Sequence, residues 1–334
     1  MDRKQTIGQS FRVKDTAVCY VTDPGFLLCT LLSASSIAED SKYTELVDVF
    51  ICLVGFDELW QDKLKALFYG KNIQFLPMKA TDYDPGSDCY FEPSHVPRSA
   101  FGRLALHRVL PDVYSNIVYL DGDTYIVDSL ESLLTYRVKP GHILAANDFL
   151  WLCEGERGAF WEKHVDYLNY HGIDRADGYF NSGVFALKRE TLVESSDWII
   201  NYFREHSGAC LYYDQSALNA YFYGHREILS PRYNYSLGFY DLDRMEADQP
   251  AILHFTGGEK PWKTKASVWP QSIINAYIEF SEKYAELSPL GLNSNVIQPK
   301  SSTSTVRSIL QSIRRHKRRK LMHNYMNETE FAFQ

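Results

Sequence analysis

The stretch VYLDGDTYIV, residues 118–127, places Asp121 and Asp123 on either side of Gly122 in an otherwise apolar run. An Asp-Gly pair between apolar residues is typical of a β-hairpin turn. A ligand site is the alternative, because the apolar residues 117–120 predict a strand that is buried on both faces. In open α/β sheets, ligands bind just beyond the carboxyl ends of such strands. The local pattern leaves both interpretations open.

The ligand interpretation points to a metal. Two neighbouring carboxylates repel each other unless a cation lies between them, and Gly122 would let the backbone bend so that they converge. Hard divalent ions prefer oxygen ligands, and Mg²⁺ typically binds one or two protein carboxylates together with the phosphates of a substrate. The hypothesis is therefore a metal site for a phosphorylated ligand.

The rest of the chain predicts an α/β fold around this strand. Short apolar runs predict further strands, and segments with helical spacing alternate with the first three of them. The predicted strands are 16–22, 46–54, 73–78, 142–146, 181–187 and 251–255, and the predicted helices are 26–38, 58–68 and 99–110. The β-α-β-α-β order at the start is typical of a nucleotide-binding parallel sheet. Two segments, 82–97 and 155–177, are predicted loops that could contact a substrate.

Composition excludes several classes of protein. The chain has 334 residues, of which 45% are hydrophobic and 23% charged, enough for one large or two modest domains. No stretch approaches the roughly 20 apolar residues of a membrane span, and residues 1–15 carry no apolar signal core, so a cytoplasmic location is expected. The six cysteines form no C-x-x-C pair, which argues against zinc and against a disulfide framework.

The C-terminal part differs from the rest. A helix is predicted after Trp269-Pro270, with an apolar stripe that would pack on the main domain, and a Ser/Pro/Asn-rich linker follows it to residue 305. Between Arg307 and Lys320 there are seven basic residues and no acid, although the net charge of the whole chain is -7. The predicted organisation is a catalytic domain over 1–265, a packing helix and linker over 266–305, and a basic amphipathic tail over 306–334.

Two interpretations of the tail stay open. A basic amphipathic helix is typical of a segment that contacts an anionic membrane surface. A solvated, partly disordered tail has the same composition. Nucleic-acid binding is disfavoured, because the basic surface of such proteins normally lies on the folded body, which is acidic here.

Two further motifs carry candidate side chains. The segment HFTGGEKPW, residues 254–262, offers an imidazole, then glycines, then a lysine, although a lone histidine in an apolar strand is usually a core residue. His254 could bind a borderline metal such as Mn²⁺, and Lys260 could bind a phosphate. Asp214 and Gln215 precede a helical pattern, where a simple N-cap is the alternative to a catalytic role.

Taken in order, these motifs resemble glycosyltransferase family 8, the group that includes glycogenin and the bacterial lipopolysaccharide galactosyl- and glucosyltransferases. The resemblance covers roughly residues 16–265. It rests on the Asp-Gly-Asp stretch at 121–123, on FNSGV at 180–184, on Asp214-Gln215 and on the segment 254–262. The family implies a GT-A fold with a mixed, mostly parallel sheet, a UDP-glucose or UDP-galactose donor, and Mn²⁺, with Mg²⁺ as the alternative.

The resemblance also implies roles for individual residues. The implied metal ligands are Asp121, Asp123 and His254. The implied donor-binding residues are Asp23, Phe26, Arg103, Asp121, Gly122, Asp123, Asn147, Asn181, Ser182, Gly257 and Lys260. The implied catalytic residues are Asp148, Asp214 and Gln215. The turn after Asp23 departs from the family pattern, since Pro24-Gly25-Phe26 stands where a polar or tyrosine-containing turn is common.

The implied reaction is the retaining transfer of a hexose to a glycan or lipid-linked saccharide. An amide is a poor nucleophile, so Gln215 favours attack by the acceptor hydroxyl on the same face that the diphosphate leaves. A catalytically silent nucleotide-sugar-binding protein is the alternative, and nucleic-acid binding through the tail is a weaker one. No residue decides between glucose and galactose.

Overall fold

Strand Asn116–Leu120, which leads into Asp121, is the central strand of a seven-stranded sheet in the computed structural model of the chain. The structure describes residues 14–91, 97–243, 245, 249–258, 260–262, 268–290 and 305–330. Ten strands are found in these ranges: β1 Thr16–Thr22, β2 Val47–Val54, β3 Ile73–Met78, β4 Asn116–Leu120, β5 Thr124–Ile126, β6 Ile143–Asn147, β7 Phe180–Lys188, β8 Arg226–Ile228, β9 Tyr235–Ser236 and β10 Ile252–His254.

The main sheet has the order β3-β2-β1-β4-β7-β6-β8. Strands β3, β2, β1 and β4 are parallel neighbours, and β6 is parallel to β8. Strand β7 runs antiparallel to both β4 and β6. Every residue of β1 and β4 is buried, as expected for strands covered on both faces. The predicted mixed, mostly parallel α/β sheet is confirmed.

Helices cover both faces of the sheet. In the described ranges they are α1 Leu27–Ala38, α2 Ser41–Thr44, α3 Glu58–Leu67, α4 Leu106–Val109, α5 Glu131–Thr135, α6 Ala159–Tyr170, α7 Arg189–His206, α8 Asp214–Phe222, α9 Leu237–Asp243, α10 Gln271–Lys283 and α11 Thr305–Glu330. Alternate residues of β1 belong to two different cores. Val18 and Tyr20 pack with α1 and α10, whereas Cys19 and Val21 pack with α7 and α8.

Two predicted segments differ from the structure. The predicted helix 99–110 is a 3₁₀ helix over Arg98–Ala105 that continues into the short α4. The predicted loop 155–177 contains α6, whose His164, Tyr167 and Leu168 are buried. All six cysteines are buried, and none forms a disulfide.

A second sheet of three short strands has the order β5-β10-β9. Strand β10 is antiparallel to β5 and parallel to β9. Strands β4 and β5 therefore lie in different sheets and do not pair with each other. The Asp-Gly pair is not a hairpin turn, because the chain passes here from the main sheet to the small one.

Gly122 serves close packing at this crossing. A Cβ atom on Gly122 would lie 2.2 Å from Oγ1 of Thr30 on α1, a separation that packed atoms do not reach. Its φ lies outside the left-handed region in which glycine is otherwise required. The expectation that Gly122 provides a special bend is replaced by the requirement for space beside Thr30.

The C-terminal helices pack on the main body. On α10, Ile273, Tyr277 and Phe280 are buried, as the apolar stripe predicts. On α11, Met322 and Met326 are buried against the body, and the ring of Tyr325 lies 5.0 Å from that of Trp151. Of the predicted linker, residues 291–304 lie outside the described residues. Among the described residues, none of the helices combines the length and the apolar character that crossing a membrane requires.

Candidate functional site

A cavity of about 790 Å³ opens where β1, β4 and the small sheet meet. Its wall brings together most of the side chains that the sequence singles out. The predicted residues that line it are Asp23, Phe26, Arg103, Asp121, Gly122, Asp123, Asp148, Asn181, Ser182, Asp214, Gln215, His254, Gly257 and Lys260. Asn147 does not line the cavity: it is buried in β6, where it pairs with Phe180 of β7.

Three potential metal ligands converge at the junction of the two sheets. Asp121 follows β4, Asp123 precedes β5, and His254 ends β10. Nε2 of His254 lies 3.3 Å from Oδ1 of Asp123 and 3.7 Å from Oδ2 of Asp121, and one ligand atom from each residue lies within 4.8 Å of the others. Two carboxylate oxygens and one imidazole nitrogen form a donor set that suits Mn²⁺ or Mg²⁺.

Gly183 makes room for this cluster. A Cβ atom on it would lie 2.2 Å from Cε1 of His254 and 2.9 Å from Oδ2 of Asp121. Its carbonyl oxygen also accepts a hydrogen bond of 2.7 Å from the backbone N–H of Asp121. The glycine in the FNSGV segment therefore has a physical reason, since any side chain there would displace two of the three ligands.

Lys260 supplies a positive charge beside the cluster. Its Nζ lies 2.5 Å from Oδ2 of Asp123 and also donates to the backbone oxygen of Phe255. Burial raises the pKa of the Asp123 carboxyl, but Lys260 and His254 outweigh it and hold that pKa well below its usual range. Asp123 is therefore charged at neutral pH.

Arg103 links the metal cluster to Asp214. Its Nη2 lies 3.0 Å from Oδ1 of Asp121, and its Nε lies 3.2 Å from Oδ2 of Asp214. Nη1 donates to the backbone oxygen of Ser182 at 2.8 Å, and the guanidinium lies 4.7 Å from the ring centre of Tyr119. Burial lowers the pKa of Arg103, but Asp121 and Asp214 outweigh it and raise the pKa above its ordinary value.

Asp214 is buried, and the charged form of its carboxyl is unfavourable there. Burial raises the pKa of its carboxyl, Arg103 opposes this rise, and Asp121 adds to it. The folded protein therefore holds a proton on Asp214 to a higher pH than the unfolded chain does. Stability from this proton is present at acidic pH and is lost as the pH rises through the raised pKa.

The variant Asp214→Asn is expected to melt at a higher temperature than the wild type at pH 7, because the asparagine never has to carry a buried charge and Arg103 keeps Asp121 as its partner. The gain should shrink as the pH falls toward about 3.9, the usual pKa of aspartate. Melting curves from pH 4 to pH 8 measure it, with Asp112→Asn as an exposed control. A lower melting temperature than the wild type at pH 7 would contradict the prediction.

Asp148, Asn181 and Gln215, which also line the cavity, form one hydrogen-bonded group. Oδ2 of Asp148 accepts from Nδ2 of Asn181 at 3.1 Å and from Nε2 of Gln215 at 3.2 Å. Oε1 of Gln215 accepts from the backbone N–H of Ser182 at 3.1 Å. Because that N–H can only donate, the orientation of the Gln215 amide is determined.

Asp23 and Phe26 line the wall next to β1. Oδ1 of Asp23 accepts from the backbone N–H of Gly25 at 2.9 Å, and Oδ2 accepts from Oγ of Ser99 at 2.8 Å. The ring of Phe26 is half-buried and lies 5.9 Å from Nζ of Lys260. An aromatic face beside a lysine is suited to a base followed by phosphates.

Some site residues carry no sequence signal of their own. Phe149, Tyr212 and Asp241 line the cavity but belong to no motif. Tyr213 has φ 50° and stacks on Phe91 at 5.4 Å, with 8° between the rings. Such a backbone costs on the order of 1–3 kcal/mol. It lies directly before α8, where Asp214 and Gln215 enter the cavity.

The sequence matches the model of the family described as Glycosyl transferase family 8 over residues 17–266. The chain belongs to glycosyltransferase family 8. This membership supports a role in glycosyl transfer, and the matched range contains every side chain of the cavity described above.

Curated relatives of this family-8 chain are distant. It is 26% identical over 217 residues to general stress protein A of Bacillus subtilis strain 168, covering 60% of this chain and 70% of that one. It is 24% identical over 176 residues to glycosyltransferase GlyF of Streptococcus pneumoniae serotype 4, covering 51% of this chain and 39% of GlyF. The chain therefore spans less than half of the length of GlyF.

Solved structures share the fold of this family-8 chain. The galactosyltransferase LgtC, in complex with donor and acceptor sugar analogs, superposes with a TM-score of 0.61 at 19% identity, covering 80% of this chain and 95% of LgtC. The bifunctional glycosyltransferase WbbM superposes with a TM-score of 0.61 at 16% identity, covering 84% of this chain and 52% of WbbM. The predicted GT-A fold is confirmed.

Proposed function

We propose that the protein is a retaining glycosyltransferase that moves glucose or galactose from a UDP-sugar to a glycan or lipid-linked saccharide and requires Mn²⁺, or Mg²⁺ in its place. One observation carries the proposal. A candidate metal cluster with an adjacent lysine and a carboxylate-amide group line the same cavity of about 790 Å³. A nucleotide-sugar needs both, since its diphosphate is anionic and its sugar ring becomes cationic during transfer.

The diphosphate would lie beside Asp121, Asp123, His254 and Lys260. A divalent ion held by the first three would stabilise the negative charge that develops on the departing diphosphate. Lys260 adds a fixed positive charge there, because Asp123 and the Phe255 carbonyl hold its ammonium group. Gly257, with φ 75° and open space around its Cα, lets the backbone approach the phosphates without a side chain in between.

The sugar ring would lie beside Asp148. Its Oδ2 is held by Asn181 and Gln215, and its Oδ1 accepts from the backbone N–H of Leu150 at 3.0 Å. A carboxylate held by three hydrogen bonds in this way keeps its negative charge directed at the cationic ring instead of rotating away. We propose that Asp148 provides this electrostatic stabilisation and that Asn181 orients it.

Gln215 does not act as a nucleophile in this proposal. Its Oε1 is engaged by the Ser182 N–H, and its Nε2 donates to Asp148 and to the hydroxyl of Tyr179. We propose instead that the acceptor hydroxyl attacks the anomeric carbon on the face from which the phosphate leaves. The new C–O bond forms as the bond to UDP breaks, and the hydroxyl proton passes to the departing phosphate oxygen. A glycosyl adduct on Asp148 or Asp214, seen by mass spectrometry of a quenched reaction, would contradict this step.

The decisive experiment is UDP release from a panel of UDP-sugars without an acceptor, with Mn²⁺ and then with EDTA. We expect one hexose donor to be hydrolysed slowly, with loss of the activity on chelation. A silent nucleotide-sugar-binding protein would bind UDP with metal in calorimetry but release none from any donor, with or without saccharide acceptors. Absence of both binding and release would contradict the metal site itself.

We further propose that α11 contacts an anionic membrane, where a lipid-linked acceptor would lie. Arg314, Arg315, Lys317 and Lys320 are exposed, whereas Arg318 is committed to Glu156 at 2.6 Å. Each exposed basic residue contributes about 1 kcal/mol near an anionic surface. Reversing these four charges to glutamate should abolish flotation with vesicles containing anionic lipid and leave the melting temperature close to that of the wild type. Equal flotation of the two proteins would contradict it.

A further inference from the structure

Asn234 lies behind the cavity wall, and its side chain joins His254 of the metal cluster to Asn181 of the group that holds Asp148. It is 1% exposed and does not line the cavity. Its Oδ1 lies 2.8 Å from Nδ1 of His254. Its Nδ2 lies 3.0 Å from Oδ1 of Asn181 and 3.4 Å from the backbone oxygen of the same residue. A buried amide with all of these contacts satisfied couples the two groups that it joins.

The orientation of this amide follows from its neighbours. A backbone carbonyl can only accept, so the Asn181 carbonyl must face the NH₂ group of Asn234. Oδ1 of Asn181 accepts from the backbone N–H of Gly183 at 3.0 Å, so it also faces the NH₂ group as an acceptor. Oδ1 of Asn234 is therefore the atom that faces His254, and an amide oxygen can only accept.

This orientation determines the tautomer of His254. Nδ1 must carry a proton in order to donate to Asn234. In the neutral imidazole, Nε2 then carries the lone pair, and it is the nitrogen that faces Asp121 and Asp123. A lone pair that points toward two carboxylates is unfavourable unless a cation lies between them. Asn234 thus prepares His254 as a cation ligand and prevents the tautomer in which Nε2–H would donate to Asp123.

The side chain of Asn234 is also connected, through Asn181, to Asp148. Nδ2 of Asn181 donates to Asp148, which in turn accepts from Gln215. Asn234 therefore continues a chain of hydrogen bonds from the imidazole of His254 to the carboxylate of Asp148. The single planar amide of Asn234 therefore links the position of His254 to that of Asn181.

We propose that Asn234 is a positioning residue that fixes the His254 tautomer for metal binding and aligns Asn181 with Asp148. The metal-binding part of this proposal rests on the proposed function, whereas its statement about the His254 tautomer does not. Asn234 follows Tyr233 in the segment PRYNYS, where no motif marks it. It does not line the cavity, so it acts only through His254 and Asn181.

Two variants separate the two contacts. Asn234→Ala removes both of them. Asn234→Asp keeps an oxygen that accepts from Nδ1–H of His254 but cannot donate to Asn181. Asn219→Ala is the matched control, because Asn219 is also 1% exposed and holds the backbone of Phe180 at 2.8 and 2.9 Å without touching His254.

The first readout needs no metal. In ¹⁵N-histidine-labelled protein, nitrogen NMR is followed to alkaline pH until the spectrum stops changing, and His254 is assigned by its loss in His254→Gln. We expect an Nδ1-bound proton in the wild type, in Asn234→Asp and in Asn219→Ala, and a shift toward the Nε2-bound tautomer in Asn234→Ala. The same tautomer in the wild type and in Asn234→Ala would overturn the proposal.

The second readout is the affinity for Mn²⁺ alone, measured by calorimetry. Loss of a partner that orients a ligand typically costs about 10- to 100-fold in affinity, which is the expected result for Asn234→Ala, with no change for Asn219→Ala. Asn234→Asp should retain Mn²⁺ affinity but show a lower kcat at saturating Mn²⁺, because Asn181 is released. Equal losses of affinity in Asn234→Ala and Asn219→Ala would overturn the proposal by reducing Asn234 to a packing residue. If the wild type binds no Mn²⁺, the proposed function fails, and the tautomer measurement still decides the role of Asn234.

Discussion

Asp121→Ala and Asp123→Ala are each expected to lower sugar transfer by about 10³-fold, which corresponds to on the order of 4 kcal/mol of transition-state stabilisation. Each variant removes one of two oxygen ligands from a three-ligand cluster. The remaining imidazole and single carboxylate form a weak site for a hard cation. The loss should therefore appear both in turnover of the preferred UDP-sugar and in Mn²⁺ affinity by calorimetry.

Asp121→Ala and Asp123→Ala should differ in how much they lower the free energy of unfolding. Asp121 shares Arg103 with Asp214, so Asp121→Ala leaves that arginine with one carboxylate partner. Asp123→Ala leaves the ammonium group of Lys260, which is 8% exposed at its side chain, without the carboxylate at 2.5 Å. Asp197→Ala is the control, because Asp197 pairs with Arg108 at the surface, where an ion pair contributes about 0–1 kcal/mol. Normal turnover in either Asp121→Ala or Asp123→Ala would contradict the metal assignment.

Arg103→Met is expected to lower the free energy of unfolding by about 3–5 kcal/mol, since breaking a buried ion pair leaves uncompensated charge. Here the charge belongs to Asp121 and Asp214, which flank the guanidinium at 3.0 and 3.2 Å. Methionine fills much of the same volume, so the effect comes mainly from the lost charge and hydrogen bonds. Urea unfolding at pH 7 measures it.

The matched control for this variant is Arg108→Met, which breaks a surface ion pair and should cost about 0–1 kcal/mol. The double variant Arg103→Met, Asp214→Asn should recover part of the loss, because it removes one of the two uncompensated charges. If the two arginine variants are equally stable, the Arg103 pairs do not stabilise the fold at all.

Most of the main sheet was predictable because its strands are apolar runs, with the exception of β8, Arg226–Ile228, which was not predicted. The predicted bounds of β1 and β3 coincide with those in the structure, those of β2 differ by one residue at its start, and those of β6 differ by one residue at each end. Burial on both faces imposes apolar residues along the whole strand, and such a run is visible without any partner. The side chains that follow β1, β4 and β6 were found for the same reason, since they interrupt or end these runs.

The small sheet was predicted only in part. The predicted strand 251–255 contains β10, whereas β5 and β9 have three and two residues, too few to show a period of two. They form because distant segments meet, which is a tertiary property. Asn234 was missed for a related reason: its function lies in two contacts with residues 20 and 53 positions away. Helix α6 was missed because the turn residues before and after it make the whole segment resemble a loop.

The junction between the two sheets has a consequence for how the chain folds. Asp123 and Lys260 are 137 positions apart in sequence, so the loop between them must close before they can meet. Closure of so long a loop costs entropy that is regained only when its contacts form, and such contacts tend to form slowly. Strands β1 to β4 need only nearer neighbours and can assemble earlier. In a chain still emerging during synthesis, β1 to β4 would therefore be present before β10, and the cluster of Asp121, Asp123 and His254 would be completed only when the last strand arrives.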